Sequence, residues 1–168
     1  MTGLPNRLLY LHKLQALIKK IQTQKRSIQL YVVAMDLDNF SDVNDTLGYE
    51  AGNHALKMVA VRLKKILPNK SIISRLGEDQ FAAIIVSNEQ MFGKLVEHLL
   101  NAFKKPFVIY ENDYLLELSA GVSVFPDHSA KPADLLKKSE TALDQAKQEE
   151  KGTYRQYSET FERKVQER

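Results

Sequence analysis

Two groups of carboxylates stand at points where the chain turns. Asp36-Leu37-Asp38 ends the apolar run Leu30 to Met35, and Gly77-Glu78-Asp79-Gln80-Phe81 separates the apolar runs Ser71 to Leu76 and Phe81 to Val86. Short apolar runs bounded by turn residues read as buried strands, so both acidic groups fall at strand ends, the second on a tight hairpin. Carboxylates from two such turns can share a divalent cation, and hard oxygen ligands suit Mg²⁺ or Mn²⁺. The chain has no cysteine. Any metal must therefore be held by oxygen or histidine, and disulfides, thiolate sites and a cysteine nucleophile are excluded, as in a reducing compartment. Taken alone, Asp36 and Asp38 read first as acids that merely solvate a strand end.

The other chemistry-bearing residues are less informative. His12, His54, His98 and His128 lack metal-ligand spacing, and there is no glycine-rich phosphate loop, nucleophile elbow or zinc motif. A net charge of +3 arises from 24 basic and 21 acidic side chains. Several of the bases, Lys19, Lys20, Lys25, Arg26, Lys64 and Lys65, close helices and offset their dipoles. Without an arginine and aromatic stripe, this pattern is a solvated surface and not a nucleic-acid face.

The elements that must position the acids follow from periodicity. With 168 residues and 43% hydrophobic content the chain suits one domain with one core. Leu8, Leu11, Leu14, Leu17, Ile18 and Ile21 mark a helix entered at Pro5 and Asn6. The run Leu30 to Leu37 has the continuous apolar character of a central strand buried on both faces. Helices are predicted over Ser41 to Leu47 and Ala51 to Leu67, with Gly48 and Gly52 punctuating the join. Asn88 caps a helix carrying Phe92, Leu95, Leu99 and Phe103, which Pro106 ends. Strands Phe107 to Tyr110 and Tyr114 to Val124 flank a turn at Glu111-Asn112-Asp113. A last helix turns Leu135, Ser139, Ala142, Leu143 and Ala146 inward before a strand Tyr154 to Tyr157. The fold class is α+β, with helices around a mainly antiparallel central sheet. No run is long enough to span a bilayer, and the start lacks a secretion signal, so this segment is expected to have no direct membrane contact.

Five motifs in order resemble the GGDEF domain, the family of the diguanylate cyclases, which join two GTP into cyclic di-GMP. They are TGLPNR at Thr2 to Arg7, DLDNFSDVNDTLGYEAGN at Asp36 to Asn53, RLGEDQF at Arg75 to Phe81, SAGVSVFP at Ser119 to Pro126, and LLKKSETALDQAK at Leu135 to Lys147. The resemblance implies a five-stranded ferredoxin-like core shared with class III nucleotidyl cyclases, a domain over 1–157, and a tail over 158–168 that leads to a further domain such as EAL. By the same resemblance Asp36, the carbonyl of Leu37 and Asp79 hold Mg²⁺ or Mn²⁺, and Asp79 is also catalytic. Main-chain N–H groups at Asn39, Phe40 and Ser41 cradle phosphate, Asn44 reads guanine, and Lys147 contacts phosphates.

The chain also departs from the family pattern. Glu78 replaces a glycine, adding bulk and charge where backbone approaches the nucleotide. At an effective dielectric of about 20, like unit charges about 4 Å apart repel by ~4 kcal/mol. Gln80 replaces an acid and can neither take a proton nor offer a full charge to a cation. The adjacent pair Glu78-Asp79 is a poor substitute, because a one-residue shift on a hairpin turns a side chain to the other face. Tyr49 replaces a histidine and Ser41 a lysine. Asn53 replaces the acid that pairs with guanine N1 and N2, and reads equally well as a helix cap. Four residues rather than two separate Lys147 from Gly152. Pro68 and Ser71 occupy the places of the product-inhibition Arg and Asp, so that feedback site is absent.

The expectation is a catalytically impaired, GTP-binding regulatory domain of a cyclic di-GMP signalling protein, in the cytoplasm and covalently linked to sensory or EAL domains. The alternatives are an active diguanylate cyclase, which in this family works as a homodimer, and a dimerisation module that binds no nucleotide.

Overall fold

The computed structural model describes residues 6–22 and 28–159. The opening residues Thr2 to Pro5, the bases Lys25 and Arg26, and residues 160–168 of the tail lie outside them. In chain order the elements are α1 (Arg7–Gln22), β1 (Gln29–Leu37), α2 (Phe40–Leu47), α3 (Tyr49–Ile66), β2 (Ile72–Arg75), β3 (Gln80–Ser87), α4 (Glu89–Ala102), β4 (Phe107–Ile109), β5 (Asn112–Tyr114), β6 (Leu118–Phe125), α5 (Pro132–Glu149) and β7 (Tyr154–Gln156).

The continuous apolar run of β1 becomes the middle strand of a five-stranded sheet ordered β2-β3-β1-β6-β7. It pairs antiparallel with β3 and β6, and only β6 and β7 run parallel. Alternation along β1 feeds two cores. Tyr31, Val33, Met35 and Leu37 join α2, α3, α4 and the β4–β5 ribbon, whereas Leu30 and Val32 meet α1 and α5. Asp36 shares the parity of Leu30 and Val32 and so belongs to the side covered by α1 and α5.

Helix ends follow their caps. Asn6 Oδ1 accepts the Leu9 N–H at 3.0 Å, and Asn88 Oδ1 accepts the Met91 N–H at 2.9 Å. Within α1 the buried side chains are Tyr10, Leu14 and Ile18. Leu8, expected inward, is 67% exposed. Tyr10 takes the central place because its hydroxyl donates to the buried Ala83 carbonyl at 2.8 Å, an option that no leucine has. Arg7, from the opening motif, grips Glu140 of α5 at 3.0 Å.

Two boundaries differ from the sequence reading. The long strand over Tyr114 to Val124 is broken: β5 pairs with β4 in a separate ribbon, and β6 starts only at Leu118. The turn sits at Tyr110 and Glu111, both with positive φ, one residue earlier than expected. Gly52 does not punctuate a join but lies buried inside α3, and Asn53 is no cap, because that helix already starts at Tyr49 after Gly48. Gly121 lets α5 ride directly on β6, since a Cβ there would lie 2.1 Å from the Leu143 nitrogen and the Ser139 oxygen.

Candidate active site

The register of the three central strands assembles the acids. Asp36 pairs with Gln80 on β3 and with Ser119 on β6. Leu37 N–H donates to the Asp79 carbonyl at 3.2 Å, which ties the hairpin tip to the end of β1. Arg75 fixes the same turn from below, with its guanidinium donating to the carbonyls of Gly77 and Glu78, each at 2.9 Å. The hairpin main chain is thus held at several points although its tip is exposed.

Asp36 is 5% exposed, and its Oδ1 has no hydrogen-bond donor. Its Oδ2 accepts from Lys147 Nζ, on the last turn of α5, at 2.5 Å. The carboxyl of Asp79 lies within hydrogen-bonding reach of Asp36, and burial followed by the Asp36 charge pushes the Asp79 pKa up to about 6. Burial works against the charge on Lys147, yet Asp36, Asp38 and Asp79 outweigh it and leave that pKa raised. Two carboxyls in contact, one with an orphaned buried oxygen, are stable only around a shared proton or a cation. Among the described residues no cluster of three or more acidic or histidine ligands exists. A cation held by Asp36 and Asp79 would complete its shell with main-chain, phosphate or water oxygens.

Asp38 does not solvate the strand end. It is 4% exposed, and its Oδ2 accepts from Ser119 Oγ at 2.8 Å and from Gly152 N–H at 3.0 Å. Burial raises its pKa against those two hydrogen bonds. The contact draws Gly152 to the floor of the site despite the longer spacing from Lys147, whereas Lys151 is exposed. Asp144, one turn before Lys147 on α5, also feels the cluster: burial raises its pKa while Lys147 opposes the rise. Its spacing of three from Lys147 was the signal for this placement, whereas Ser119 and Arg75 carry no such mark.

A second part of the site faces α2. Glu78 turns away from Asp36, as alternation on a hairpin requires, and its Oε1 accepts from Asn44 Nδ2 at 3.1 Å. The carboxylate is therefore directed to α2 and not to the Asp36–Asp79–Lys147 group. Asn44 Oδ1 is buried without a donor and occupies the space beside Gly52, 1.8 Å from where a Cβ on that glycine would sit. Asn39 adopts the left-handed conformation at φ 68° and gives α2 no side-chain cap, which leaves first-turn N–H groups at Phe40 and Ser41 without one. The Phe40 ring is in the core, and Ser41 is at the surface. Asn53 is half-buried on α3. Tyr49 is 68% exposed, and Gln80 lies over Gly77, with Oε1 3.5 Å from that glycine's Cβ position.

The same arrangement of elements recurs in known proteins. Residues 1–153 match the family described as Diguanylate cyclase, GGDEF domain. Signaling protein YkoW of Bacillus subtilis is 32% identical over 163 residues, 94% of this chain and 20% of that protein. The bifunctional diguanylate cyclase/cyclic di-GMP phosphodiesterase MucR of Pseudomonas aeruginosa is 30% identical over 156 residues, 92% of this chain and 22% of MucR. This chain thus spans about a fifth of both relatives. The solved GGDEF domain of TpbB from Pseudomonas aeruginosa superposes with a TM-score of 0.91 at 26% identity, covering 98% of this chain and 96% of that one. The chain belongs to the diguanylate cyclase GGDEF family, whose domains occur in cyclic di-GMP signalling proteins.

Proposed function

We propose that this domain binds GTP with a divalent cation but turns it over poorly, and serves as a regulatory module of a larger cyclic di-GMP signalling protein. The observation that carries the reading is the contrast between two neighbours on the hairpin. Asp79 meets Asp36 in a contact that needs a proton or a cation, while the next residue, Gln80, offers only an uncharged amide folded over Gly77. Mg²⁺ or Mn²⁺ would be held by Asp36 and Asp79 with the Leu37 carbonyl, and when bound it neutralises phosphate charge. Lys147 would follow the phosphates, and the N–H groups at Asn39, Phe40 and Ser41 would receive them. Asn44 is the base-reading residue, with Asn53 a weak acceptor and Tyr49 a peripheral contact. Loss of a proton acceptor at Gln80 removes assistance of the general acid–base kind, typically worth 10²–10⁴-fold in rate.

The second reading is an active cyclase, favoured by the assembled Asp36, Asp79 and Lys147. A homodimer would then bring two GTP together. MucR, which combines cyclase and phosphodiesterase activities in its name, supports the proposal of a covalently linked EAL domain, and upstream sensory input and a cytoplasmic site of action belong to the same proposal. No helix among the described residues is long and apolar enough to cross a membrane. Calorimetry with GTP and Mg²⁺ tests the proposal: measurable binding is expected, and no heat at millimolar nucleotide would leave an interaction module without nucleotide.

A further inference from the structure

Asn44 and Glu78 present a hydrogen-bond donor and an acceptor side by side at the mouth of the site. The amide of Asn44 is locked in one orientation. Its Oδ1 fills the gap left by the missing Cβ of Gly52, and its Nδ2 faces the hairpin because the Glu78 carboxylate there can only accept. One Nδ2 hydrogen goes to Glu78 Oε1 at 3.1 Å. An NH₂ group carries two hydrogens and a carboxylate about four acceptor sites, so the pair keeps one donor and several acceptors in reserve. Glu78 projects from a main chain that Arg75 clamps through the carbonyls of Gly77 and Glu78, so its carboxylate hangs from a fixed point although it is exposed.

A donor next to a carboxylate is the complement of one purine edge. Guanine shows the O6 acceptor beside the N1–H and N2–H donors; adenine shows the N6 amino donor beside a bare N1 lone pair. Against adenine the Asn44 hydrogen would meet a donor and the Glu78 carboxylate would meet a lone pair, leaving both groups unpaired at a cost. Asn53, half-buried in α3, brings an uncharged amide with a single acceptor oxygen. We propose that Glu78 is the guanine-specificity residue of this chain: a carboxylate delivered by the hairpin, paired with Asn44, that does the base reading which Asn53 cannot. The inference rests on the nucleotide-binding role proposed above. It turns Glu78 from an obstacle into a determinant of which nucleotide is held.

The test is calorimetric titration of the 168-residue chain with GTP, ITP and ATP in Mg²⁺, for the unaltered protein, Glu78→Gln, Glu78→Ala, and Glu78→Ala combined with Asn53→Asp. Glu78→Ala should lose about tenfold or more in GTP affinity, as for loss of one two-point base contact, while its ATP affinity stays the same or rises as the clash with the adenine N1 lone pair is removed. ITP, which lacks the N2 amine, should lose less than GTP, Glu78→Gln should fall between, and Asn53→Asp should restore the GTP preference. Because Glu78 is on an exposed turn, the urea midpoint should not move. A GTP affinity that stays the same or rises in Glu78→Ala overturns the inference and marks the carboxylate as a block. Equal losses for GTP and ATP also overturn it, since a structural role would act on both. Failure of every protein to bind any nucleotide would sink the inference together with the proposed function, whereas binding by the unaltered protein without guanine preference sinks the inference alone.

Discussion

The side-chain oxygen of Asn44 occupies the volume that a methyl group on Gly52 would need, with only 1.8 Å between that oxygen and the Cβ position. Helix α3 and helix α2 are thereby keyed together at Asn44, whose amide faces the hairpin.

A double-mutant cycle exposes this key. Alanine is favoured over glycine inside a helix by about 1 kcal/mol. Gly52→Ala in the unaltered chain should nonetheless destabilise by about 1–3 kcal/mol, as overpacking does, and abolish nucleotide binding by displacing Asn44. In an Asn44→Ala background the same substitution should stabilise by roughly 0.5–1 kcal/mol. Urea unfolding of the four proteins checks the reversal of sign.

Lys147 supplies the charge that Asp36 needs when no cation is present. Lys147→Met leaves a carboxylate with 7% side-chain exposure without its partner, and stability at pH 7 should fall by about 2 kcal/mol. Mn²⁺ should raise the melting temperature of this variant by more than it raises that of the unaltered protein, because the ion replaces the lost lysine. Equal shifts in the two proteins would show that Asp36 is not where the ion binds.

The raised pKa of Asp79 gives stability a pH dependence in metal-free protein. A carboxyl at about 6 when folded, against 3.8 as its ordinary value, binds a proton more tightly in the folded state. Its contribution is present below the ordinary value and is lost as pH rises through about 6. Asp79→Asn should therefore lose less stability than the unaltered chain between pH 4.5 and pH 7.5, as read by denaturant midpoints in chelator (roughly the span of the titration). His128 acts in the opposite sense. Burial lowers its pKa, and its Nδ1 accepts the Val124 N–H at 2.8 Å, so its contribution is lost as pH falls and has to be subtracted with a His128→Gln control.

Gly121 should tolerate nothing larger. A Cβ at 2.1 Å from the backbone of α5 meets atoms that cannot rotate away, so Gly121→Ala should cost more than about 3 kcal/mol and loosen Lys147 with its helix. Circular dichroism with urea titration measures the loss.

Much of this architecture was legible in the residues. The continuous apolar run from Leu30 announced a central strand and Asn88 its helix, because each signal is local, whereas the meeting of Asp36 with Asp79 was implied by the family resemblance and not by any local pattern. Asp38 was misjudged as a surface acid, since its partners Ser119 and Gly152 arrive from β6 and from the loop before β7, and only the sheet register brings them near. The direction of Glu78 was half legible. Alternation predicted that it leaves Asp36, but that it reaches Asn44 depends on how closely α2 packs, which no spacing within the hairpin encodes. Tyr10 was overlooked in favour of Leu8 because periodicity counts apolar faces and does not weigh a buried hydroxyl with a waiting carbonyl.

The most direct measurement is product formed from bound substrate. Saturating GTP with Mn²⁺ is incubated with the unaltered chain and with Gln80→Glu, which keeps Glu78, and cyclic di-GMP is quantified by chromatography. Bound GTP with negligible product in the unaltered chain, and at least about a hundredfold gain in Gln80→Glu, is the expected result. Robust cyclic di-GMP from the unaltered chain, or no gain in the variant, would contradict the assignment of the defect to Gln80.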